Sequence, residues 1–273
     1  MTTPEAMEHF KRQVLRDGPR LGPADTFGFQ CHKGLSCFNE CCHDVNLFLS
    51  PYDVLRFKSR LGMKSGEFLR RHTIIPFGQS QKYPVVILKM LDDERKSCPF
   101  LREPHGCSVY SDRPWACRMY PLGQAAAAPK GEKDESFYFV MSEPFCHGAE
   151  AGAQWTVRQW IEDQGIEPYD RAGQGFQRLA QRSPAPGGEE LSPQAMDMLF
   201  MACYDLDRFR RFVFETSFLE KFDVEPRVIE AIRTDDAELL ELGFQWIRFS
   251  LWREPAMKLR PEALRAKSDR KAP

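Results

Sequence analysis

Eight of the nine cysteines of this chain lie between Phe29 and Ala149. These eight are Cys31, Cys37, Cys41, Cys42, Cys98, Cys107, Cys117 and Cys146. In a chain that shows no secretory signal, thiols at short spacings are more often metal ligands than disulfide partners, because the cytosol keeps thiols reduced. Buried thiols without a ligand role are the alternative. The cysteines therefore predict that this part of the chain folds around a metal centre.

The first cysteine group, Cys31-x5-Cys37-x3-Cys41-Cys42, is compact enough for one loop to fold around a metal. Neighbouring side chains tend to diverge, so Cys41 and Cys42 are expected to serve different metals, or one metal and one packing site. The adjacent pair thus argues against a single zinc knuckle. The eight thiols suffice for two sites of four ligands each, so the spare cysteines predict a second site.

The N-terminal residues 1–16 carry five charged side chains and no apolar stretch, which predicts neither a signal peptide nor a membrane anchor. The longest apolar run, Pro84 to Leu88, is too short to cross a bilayer, and the mean hydropathy is −0.49. These features predict a cytoplasmic protein.

The charge balance excludes a broad class of partners. With 38 basic and 39 acidic residues the formal net charge is −1, which provides no global attraction for nucleic acid or for an anionic membrane. The expected partner is instead an unidentified protein or redox partner. At 273 residues and 42% hydrophobic composition, the chain can bury an ordinary core without metal.

Composition predicts an α+β protein in which a small irregular cysteine-rich metal-binding domain, with short helices and a small sheet, is followed by a mainly α-helical region. The predicted divisions are an N-terminal arm (1–27), a cysteine-cluster domain (28–150), a helical region (151–259) and a frayed tail (260–273).

Local signals place several elements in the first half. Ser50-Pro51-Tyr52-Asp53 predicts a capped helix that ends before Gly62, and a second helix begins near Ser65. Strands are predicted for 84–91 and 136–141, with a turn over 92–96. Residues 123–135, rich in alanine and charge, predict an exposed loop.

The second half has helical periodicity. Helices are predicted over 155–163 and 176–182, followed by a linker over 183–190. Ser192-Pro193 then predicts one long helix that continues past Cys203 to Val213, and Thr234 opens another helix. Cys203 lies on the apolar face of its helix, which predicts a core residue rather than a ligand.

The later cysteines stand in a specific series of short motifs. These are Cys98-Pro-Phe-Leu101, Cys107-Ser-Val-Tyr110 and Arg113-Pro-Trp-Ala-Cys-Arg-Met-Tyr-Pro121. Over about Cys31 to Pro121 the chain resembles the CxxCxxCC family, the YkgJ-type cysteine cluster proteins. These proteins are described as zinc- or iron-chelating domains and are often named Fe-S oxidoreductases. The first cysteine group departs from the family pattern, because its gaps are wider than C-x-x-C-x-x-C-C.

The resemblance implies a metal-binding protein whose ligands are drawn from the eight cysteines. The family is also similar to flagellin lysine methylases, which implies either an oxidoreductase or a protein-modification enzyme. The resemblance thus leaves both zinc and an iron–sulfur cluster open as cofactors. No nucleotide-binding, zinc-protease or serine-hydrolase motif accompanies the cysteines.

Three other residues are predicted to bind the cofactor. Arg113 and Arg118 could offset the negative charge of a four-thiolate centre and donate hydrogen bonds toward sulfur. The alternative is that both are surface residues in salt bridges. Tyr110 is one of the aromatic residues that flank the cysteines and could shield a cluster from water, although such residues could equally belong to a small core.

Histidines adjacent to cysteines are weaker candidates for ligands. They are His32, His43, His105 and His147. Polar loop residues are the favoured interpretation of all four, because the thiols already suffice.

Two functions remain after these exclusions. The first is a protein that holds an iron–sulfur cluster, most simply [4Fe–4S], and acts in redox or protein-modification chemistry. The second is a zinc-stabilised binding module without catalytic activity. The sequence predicts the first.

Overall fold

The computed structural model describes residues 19–76, 83–126, 136–141, 143–180 and 191–262. Contacts divide the chain into two compact units that alternate along the sequence. Unit 1 consists of Met1–Val45, Asp93–Ser97 and Trp115–Glu167, and unit 2 consists of Asn46–Asp92, Cys98–Pro114 and Pro168–Pro273. The domain boundaries drawn from composition, at residues 150 and 259, stay a prediction.

Unit 1 is closed by two strands from distant parts of the sequence. Strand β1 (Thr26–Gly28) pairs antiparallel with β8 (Gln154–Thr156), with Phe27 opposite Trp155. Their apolar side chains join a core that also draws on the segment around Met119. The buried members are Phe27, Phe29, Met119, Leu122, Val157, Trp160 and Ile166.

Helix α4 (Val157–Asp163) follows β8 directly. The predicted helix over 155–163 is therefore too long at its start. Thr156 accepts a hydrogen bond from the backbone of Gln159, whose side chain accepts one from the backbone of Thr156. This reciprocal capping fixes the helix start at Val157, because it satisfies the backbone donors of the first turn.

Unit 1 also contains a hairpin where the sequence predicts a loop over 123–135. Strand β6 (Leu122–Ala126) pairs with β7 (Ser136–Val140), so the prediction is wrong for residues 123–126. Residues 127–135 lie outside the described residues. A Cβ at Gly123 would lie 2.3 Å from the ring of Phe139, so glycine lets that ring cross the neighbouring strand. Strand β7 confirms the prediction for 136–140.

Two helices of unit 2 confirm the local signals. Helix α1 (Pro51–Leu61) begins at a capping box between Ser50 and Asp53 and ends at Gly62, whose φ is 64°. Glycine adopts this left-handed conformation without the steric cost that a side chain would add. Helix α2 (Ser65–His72) follows.

The remaining strands of unit 2 are only two residues long. They form two antiparallel pairs, β2 (Thr73–Ile74) with β3 (Ile87–Leu88) and β4 (Leu101–Arg102) with β5 (Gly106–Cys107). The predicted strand over 84–91 is thus reduced to Ile87–Leu88. Residues on either side of Ile87 bond to a separate extended segment, since Leu49 N donates to Val86 O and Leu88 N donates to Leu47 O.

The second half of the sequence is helical, as predicted. Its helices in unit 2 are α5 (Glu167–Ala180, with Glu167 assigned to unit 1), α6 (Pro193–Cys203), α7 (Leu206–Glu215), α8 (Phe218–Lys221), α9 (Pro226–Ala231) and α10 (Asp236–Trp252). In unit 1 the segment before β6 forms helix α3 (Trp115–Met119). The predicted linker at 183–190 lies outside the described residues. The mixture of short helices and small separate sheets confirms the α+β class.

The predicted long helix from Ser192 to Val213 is wrong, because it breaks between α6 and α7. Asp205 accepts a hydrogen bond from the backbone of Arg208 and so caps α7. The hydroxyl of Ser65 holds the same carboxylate at 2.6 Å. An aspartate bound in this way cannot continue the preceding helix, so the chain turns at Tyr204 and Asp205.

A buried ion-pair network stabilises unit 2. Lys58 is only 6% exposed, and its Nζ lies 2.6 Å from Asp236 and 3.3 Å from Asp207. Asp207 also accepts a hydrogen bond from Ser65 N at 2.6 Å, and Asp236 pairs with Arg210. The cations thus offset both carboxylates.

None of the helices within the described ranges is both long enough and apolar enough to cross a membrane. The cytoplasmic location stays a prediction.

Candidate metal centre

The cysteine loop of unit 1 begins at a fixed point. Phe29 N donates to Ala153 O at 2.8 Å, Gln30 N donates to Gly148 O at 2.9 Å, and the indole of Trp155 donates to Phe29 O at 2.9 Å. These bonds extend the pairing of β1 and β8 by two residues. They hold the start of the loop, at Cys31, beside the segment that carries Cys146.

The loop then folds through consecutive turns. Leu35 N donates to His32 O, Phe38 N to Leu35 O and Glu40 N to Cys37 O. A short 3₁₀ helix over Glu40–Cys42 follows Asn39, whose φ of 74° is left-handed. Asparagine tolerates this conformation better than most residues. These turns hold the four cysteines of the loop within one compact segment.

The end of the loop is fixed to residues 93–97. Asp44 N donates to Lys96 O at 3.1 Å, and the side chain of His43 bonds to the hydroxyl of Ser97 at 3.1 Å. Arg95 also binds the carboxylate of Glu40 at 2.8 Å. Both ends of the loop are therefore anchored by residues far away in sequence.

Four thiols of unit 1 influence one another electrostatically. Burial, together with smaller contributions from the charges of Cys41, Cys37 and Cys146, raises the pKa of Cys31 to about 11. In addition, the sulfur of Cys37 accepts a hydrogen bond from His147 N at 3.2 Å. Cys146 thus lies near the first cysteine group, although more than a hundred residues separate them in sequence. The hydrogen bond from His147 to Cys37 brings the same two segments together.

The adjacent cysteines interact directly, so the expected divergence of their side chains is wrong. A hydrogen bond from Cys42 lowers the pKa of Cys41 to about 7, against the opposing effect of burial. The tight 3₁₀ geometry explains the contact, because it brings neighbouring side chains closer than an extended strand does. Cys41 is therefore deprotonated more readily than Cys31 at neutral pH.

Tyr120 brings a buried hydroxyl to the same thiols. Its ring packs edge-on against Phe29 with centroids 5.8 Å apart. Burial raises the pKa of Tyr120 above its usual range, and the thiol of Cys146 adds to the effect. Within the described part of the chain this hydroxyl has no hydrogen-bond partner. Such a group typically costs about 1–3 kcal/mol.

The other predicted ligands lie elsewhere. Cys117 is exposed on α3 and Cys42 lies in the 3₁₀ helix, both in unit 1. Cys98 and Cys107 belong to unit 2, where Cys107 pairs with Leu101 in the β4–β5 hairpin. The ligand roles of all eight cysteines stay predictions. Cys203 is buried in unit 2, and its burial raises the pKa of its thiol.

The predicted cofactor-binding residues are divided between the units. Arg113 and Arg118 are both 8% exposed, so the alternative that they form surface salt bridges is excluded. In unit 2, Arg113 donates to Tyr110 O at 2.7 Å and lies 3.9 Å above the ring of Tyr110, which is itself exposed. In unit 1, Arg118 donates to Gln164 O at 2.7 Å. Their binding to a cofactor stays a prediction.

The histidines beside the cysteines mostly bond to their own surroundings. His32 Nδ1 accepts a hydrogen bond from Gly34 N at 3.1 Å, and His147 Nδ1 lies 3.7 Å from Glu150. His43 bonds to Ser97, and His105 is exposed in a turn. These contacts support the interpretation of polar loop residues.

Across the described ranges, no group of three or more cysteine, histidine, aspartate or glutamate side chains stands ready to hold a metal ion. The thiols of Cys31, Cys37, Cys41 and Cys146 are nevertheless close enough for their charges to interact. Thiol sulfur is the type of ligand that a thiophilic metal such as zinc or iron prefers. The type of ligand therefore agrees with the group that the sequence implies, although the described side chains are not arranged around a metal position.

The fold and this thiol group define an α+β protein with a cysteine-rich metal-chelating domain. The model of the CxxCxxCC family, described as a "putative zinc- or iron-chelating domain", matches residues 30–147, so this part of the chain is similar to that domain. The match confirms the resemblance seen in the sequence. Neither the curated proteins nor the solved structures compared with this chain include a significant match.

Sequence reasoning missed the particular position of Tyr120. The sequence places it only among the aromatic residues that flank cysteines. Its place in the motif Cys-Arg-Met-Tyr-Pro was the available signal, because it follows Cys117 by three residues. The convergence of its hydroxyl with Cys146 depends on the fold.

Proposed function

We propose that the CxxCxxCC domain holds an iron–sulfur cluster, most simply [4Fe–4S], and that the protein acts in redox or protein-modification chemistry. The proposed ligands of this cluster are Cys31, Cys37, Cys41 and Cys146. The remaining predicted ligands are Cys42 and Cys117 in unit 1 and Cys98 and Cys107 in unit 2.

The effect of three thiols on the pKa of a fourth, Cys31, is the observation that supports this proposal. Cys41, Cys37 and Cys146 each raise the pKa of Cys31, because one thiolate disfavours the ionisation of the next. Four thiolates are stable together only beside a compensating cation. Four cysteine thiolates are the usual ligands of a [4Fe–4S] cluster.

The protein residues around the thiols have separable roles. The lowered pKa of Cys41 provides one thiolate at neutral pH before any metal binds. The rings of Phe29 and Tyr120 exclude water from this side of the group. The backbone N–H of His147 donates to the sulfur of Cys37 and offsets part of its negative charge. When bound, a cluster supplies one-electron transfer.

Anaerobic purification with metal and sulfide analysis tests the proposal. We expect about four iron and four acid-labile sulfide atoms per occupied site, and a brown protein whose colour dithionite bleaches reversibly. An electron paramagnetic resonance signal should appear on reduction. Stoichiometric zinc without iron or sulfide would instead favour the zinc-stabilised binding module.

Cysteine variants test the choice of ligands. Cys31→Ser and Cys146→Ser should each lose most of the iron and sulfide, because a missing thiolate removes one of four ligands. Cys203→Ala is the matched control, since Cys203 is 1% exposed within unit 2. Cys98→Ser and Cys107→Ser, measured in the same way, test whether the two cysteines of unit 2 contribute to metal binding. Equal losses from Cys146→Ser and Cys203→Ala would refute the proposed ligand set.

A further inference from the structure

An open pocket in unit 2 has no part in the metal-binding function proposed above. It lies between the start of α2, helix α7 and the residues that follow α9, all of which belong to unit 2. Its volume is 370 Å³, within the range of about 300–1,000 Å³ that is usual for small-molecule sites. Four of its lining side chains are cationic, namely Lys64, Arg210, Arg211 and Arg233.

The carboxylates of the pocket offset only part of this positive charge. They are Asp207 and Glu215. Asp207 accepts a hydrogen bond from Ser65 N at 2.6 Å and lies 3.3 Å from Lys58 Nζ, so groups outside the lining already compensate its charge. Glu215 is exposed at the end of α7. With four cations and two carboxylates, the lining has a surplus of two positive charges.

Two of the arginines are fixed before any ligand binds. Arg210 Nε donates to Ile232 O at 3.0 Å, and its guanidinium pairs with Asp236. Arg233 follows Ile232, and its guanidinium lies 4.7 Å above the ring of Phe214, where a cation–π interaction holds it. A wall that is ordered in advance reduces the entropy lost when a ligand binds.

The other two cations are available to a ligand. Lys64 is exposed at the N-cap of α2, and Arg211 is exposed on α7. Neither has an ion-pair partner among the residues that the structure describes. A guanidinium offers several N–H donors in one plane, which suits two oxygens of a phosphate, and a lysine ammonium adds a point charge.

We propose that this pocket binds the phosphate group of a small phosphate ester, with Arg211 and Lys64 as the direct donors. A phosphate monoester carries a charge of about −1.5 to −2 at pH 7, which matches the surplus charge of the lining, whereas a single carboxylate carries only half as much. The pocket is larger than a free phosphate ion requires, so it has room for the organic part of the ester. The proposal does not rest on the proposed iron–sulfur cluster.

Isothermal titration calorimetry of the full chain tests this proposal, with inorganic phosphate and glycerol phosphate as probes at constant ionic strength. We expect saturable binding of both probes at one site, and tighter binding of the ester. If neither probe bound saturably, the proposal would be overturned. Tighter binding of inorganic phosphate would refute the ester as the ligand.

A charge-removing variant with a matched control locates the site. Arg211→Gln should weaken binding of glycerol phosphate about tenfold, because it removes a charge-assisted hydrogen bond. Arg227→Gln is the control, since Arg227 is also an exposed arginine of unit 2 but pairs with Glu225 and lies outside the lining. It should leave the affinity unchanged. Equal affinities of wild type and Arg211→Gln, or equal weakening by both substitutions, would refute the assignment to this pocket.

A substitution of opposite sign keeps the proposal testable if Arg211→Gln does not fold. Glu215→Gln removes a negative charge from the lining and should tighten binding of glycerol phosphate about two- to fivefold, in proportion to the effect of an exposed charge. Unchanged or weaker binding by Glu215→Gln would contradict the proposed site.

Discussion

At the scale of single residues, the thiols of one loop differ widely in acidity. Burial and three neighbouring thiols raise the pKa of Cys31 to about 11, whereas the hydrogen bond from Cys42 lowers that of Cys41 to about 7. At pH 7 about half of Cys41 is thiolate, compared with roughly one part in ten thousand of Cys31. Neighbouring atoms partly desolvate both sulfurs, but both residues remain exposed to solvent, so acidity rather than access separates them.

This difference predicts the order of chemical labelling. In the metal-free protein at pH 7, iodoacetamide should modify Cys41 on the order of 100-fold faster than Cys31, after allowance for the weaker nucleophilicity of the less basic thiolate. The ratio should fall as the pH rises toward 11, because Cys31 then also ionises. Peptide mass spectrometry over a time course measures both rates. Similar rates at pH 7 would contradict the assigned acidities.

A glycine beside the loop provides the second prediction, at the scale of elements. A Cβ at Gly148 would lie 2.3 Å from the ring of Phe29, which precedes the cysteine loop by two residues. Gly148→Ala should displace that ring and destabilise the protein by roughly 1–3 kcal/mol, the usual cost of overpacking a core. Metal content should fall as well, since Gly148 O also anchors Gln30.

Gly173→Ala is the control for this substitution. Gly173 lies in α5, and a Cβ there would meet nothing within 4 Å. Alanine should stabilise the helix by about 0.5–1 kcal/mol, because glycine loses more backbone entropy on folding. Denaturant unfolding compares the two variants. If Gly148→Ala were as stable as Gly173→Ala, the close approach of Phe29 would not be a constraint.

The ion-pair network provides the third prediction. Lys58→Met removes the buried cation between Asp207 and Asp236 and leaves two carboxylates facing each other. We expect a loss of about 3–5 kcal/mol in the free energy of unfolding, the usual cost of breaking a buried pair from one side. Denaturant unfolding monitored by circular dichroism measures it. Lys64→Met, at the exposed N-cap of α2, is the control and should change stability by less than about 0.5 kcal/mol.

The same network predicts a dependence on pH. Burial acts to raise the pKa of Asp207, but the backbone of Ser65 and the charge of Lys58 together hold it below its usual value of 3.8. A carboxyl whose pKa is lower in the folded state contributes its stability above the unfolded pKa. That stability is lost as the pH falls below about 4. The acid-induced loss should be smaller in Lys58→Met, and an equal loss would exclude Lys58 as its source.

At the scale of the whole molecule, metal binding is expected to be coupled to the folding of unit 1. Its thiols come from Cys31 to Cys146 and are close together without forming a ready ligand group among the described residues. A metal would therefore close long loops, and its removal would leave mutually repelling thiolates. Unit 2 instead buries continuous apolar faces of α6, α7 and α10, which need no ligand.

Chelation followed by hydrogen exchange tests this division. Metal removal should increase exchange in the described parts of Asp93–Ser97 and Trp115–Glu167 and leave α1, α7 and α10 protected. Residues 46–92 are informative, because they lie within the cysteine-rich half of the sequence but belong to unit 2. Loss of protection at α1 equal to that at β8 would show that the two units do not respond separately.

The sequence by itself determined the features whose interactions are local. Helix α1 begins at the capping box of Ser50 and Asp53 and ends at Gly62, as predicted. A capping box and a glycine C-cap involve only residues within a few positions of one another. The cysteine motifs likewise identified the metal-chelating family, since their spacing is itself the signal. Strand β7 was predictable from its run of aromatic and β-branched residues, Phe137 to Val140.

Only the tertiary structure decided the features that depend on distant partners. The helix break at Asp205 involves Ser65, which is 140 residues away in sequence. The pairing of β1 with β8 brings Cys31 beside Cys146, and residues 98–114 join the other unit. Periodicity and spacing describe the neighbours of a residue along the chain, but they contain no information about which remote backbone groups will bond to it. For that reason the cysteine motifs were readable from the sequence, whereas the proximity of Cys31 to Cys146 was not.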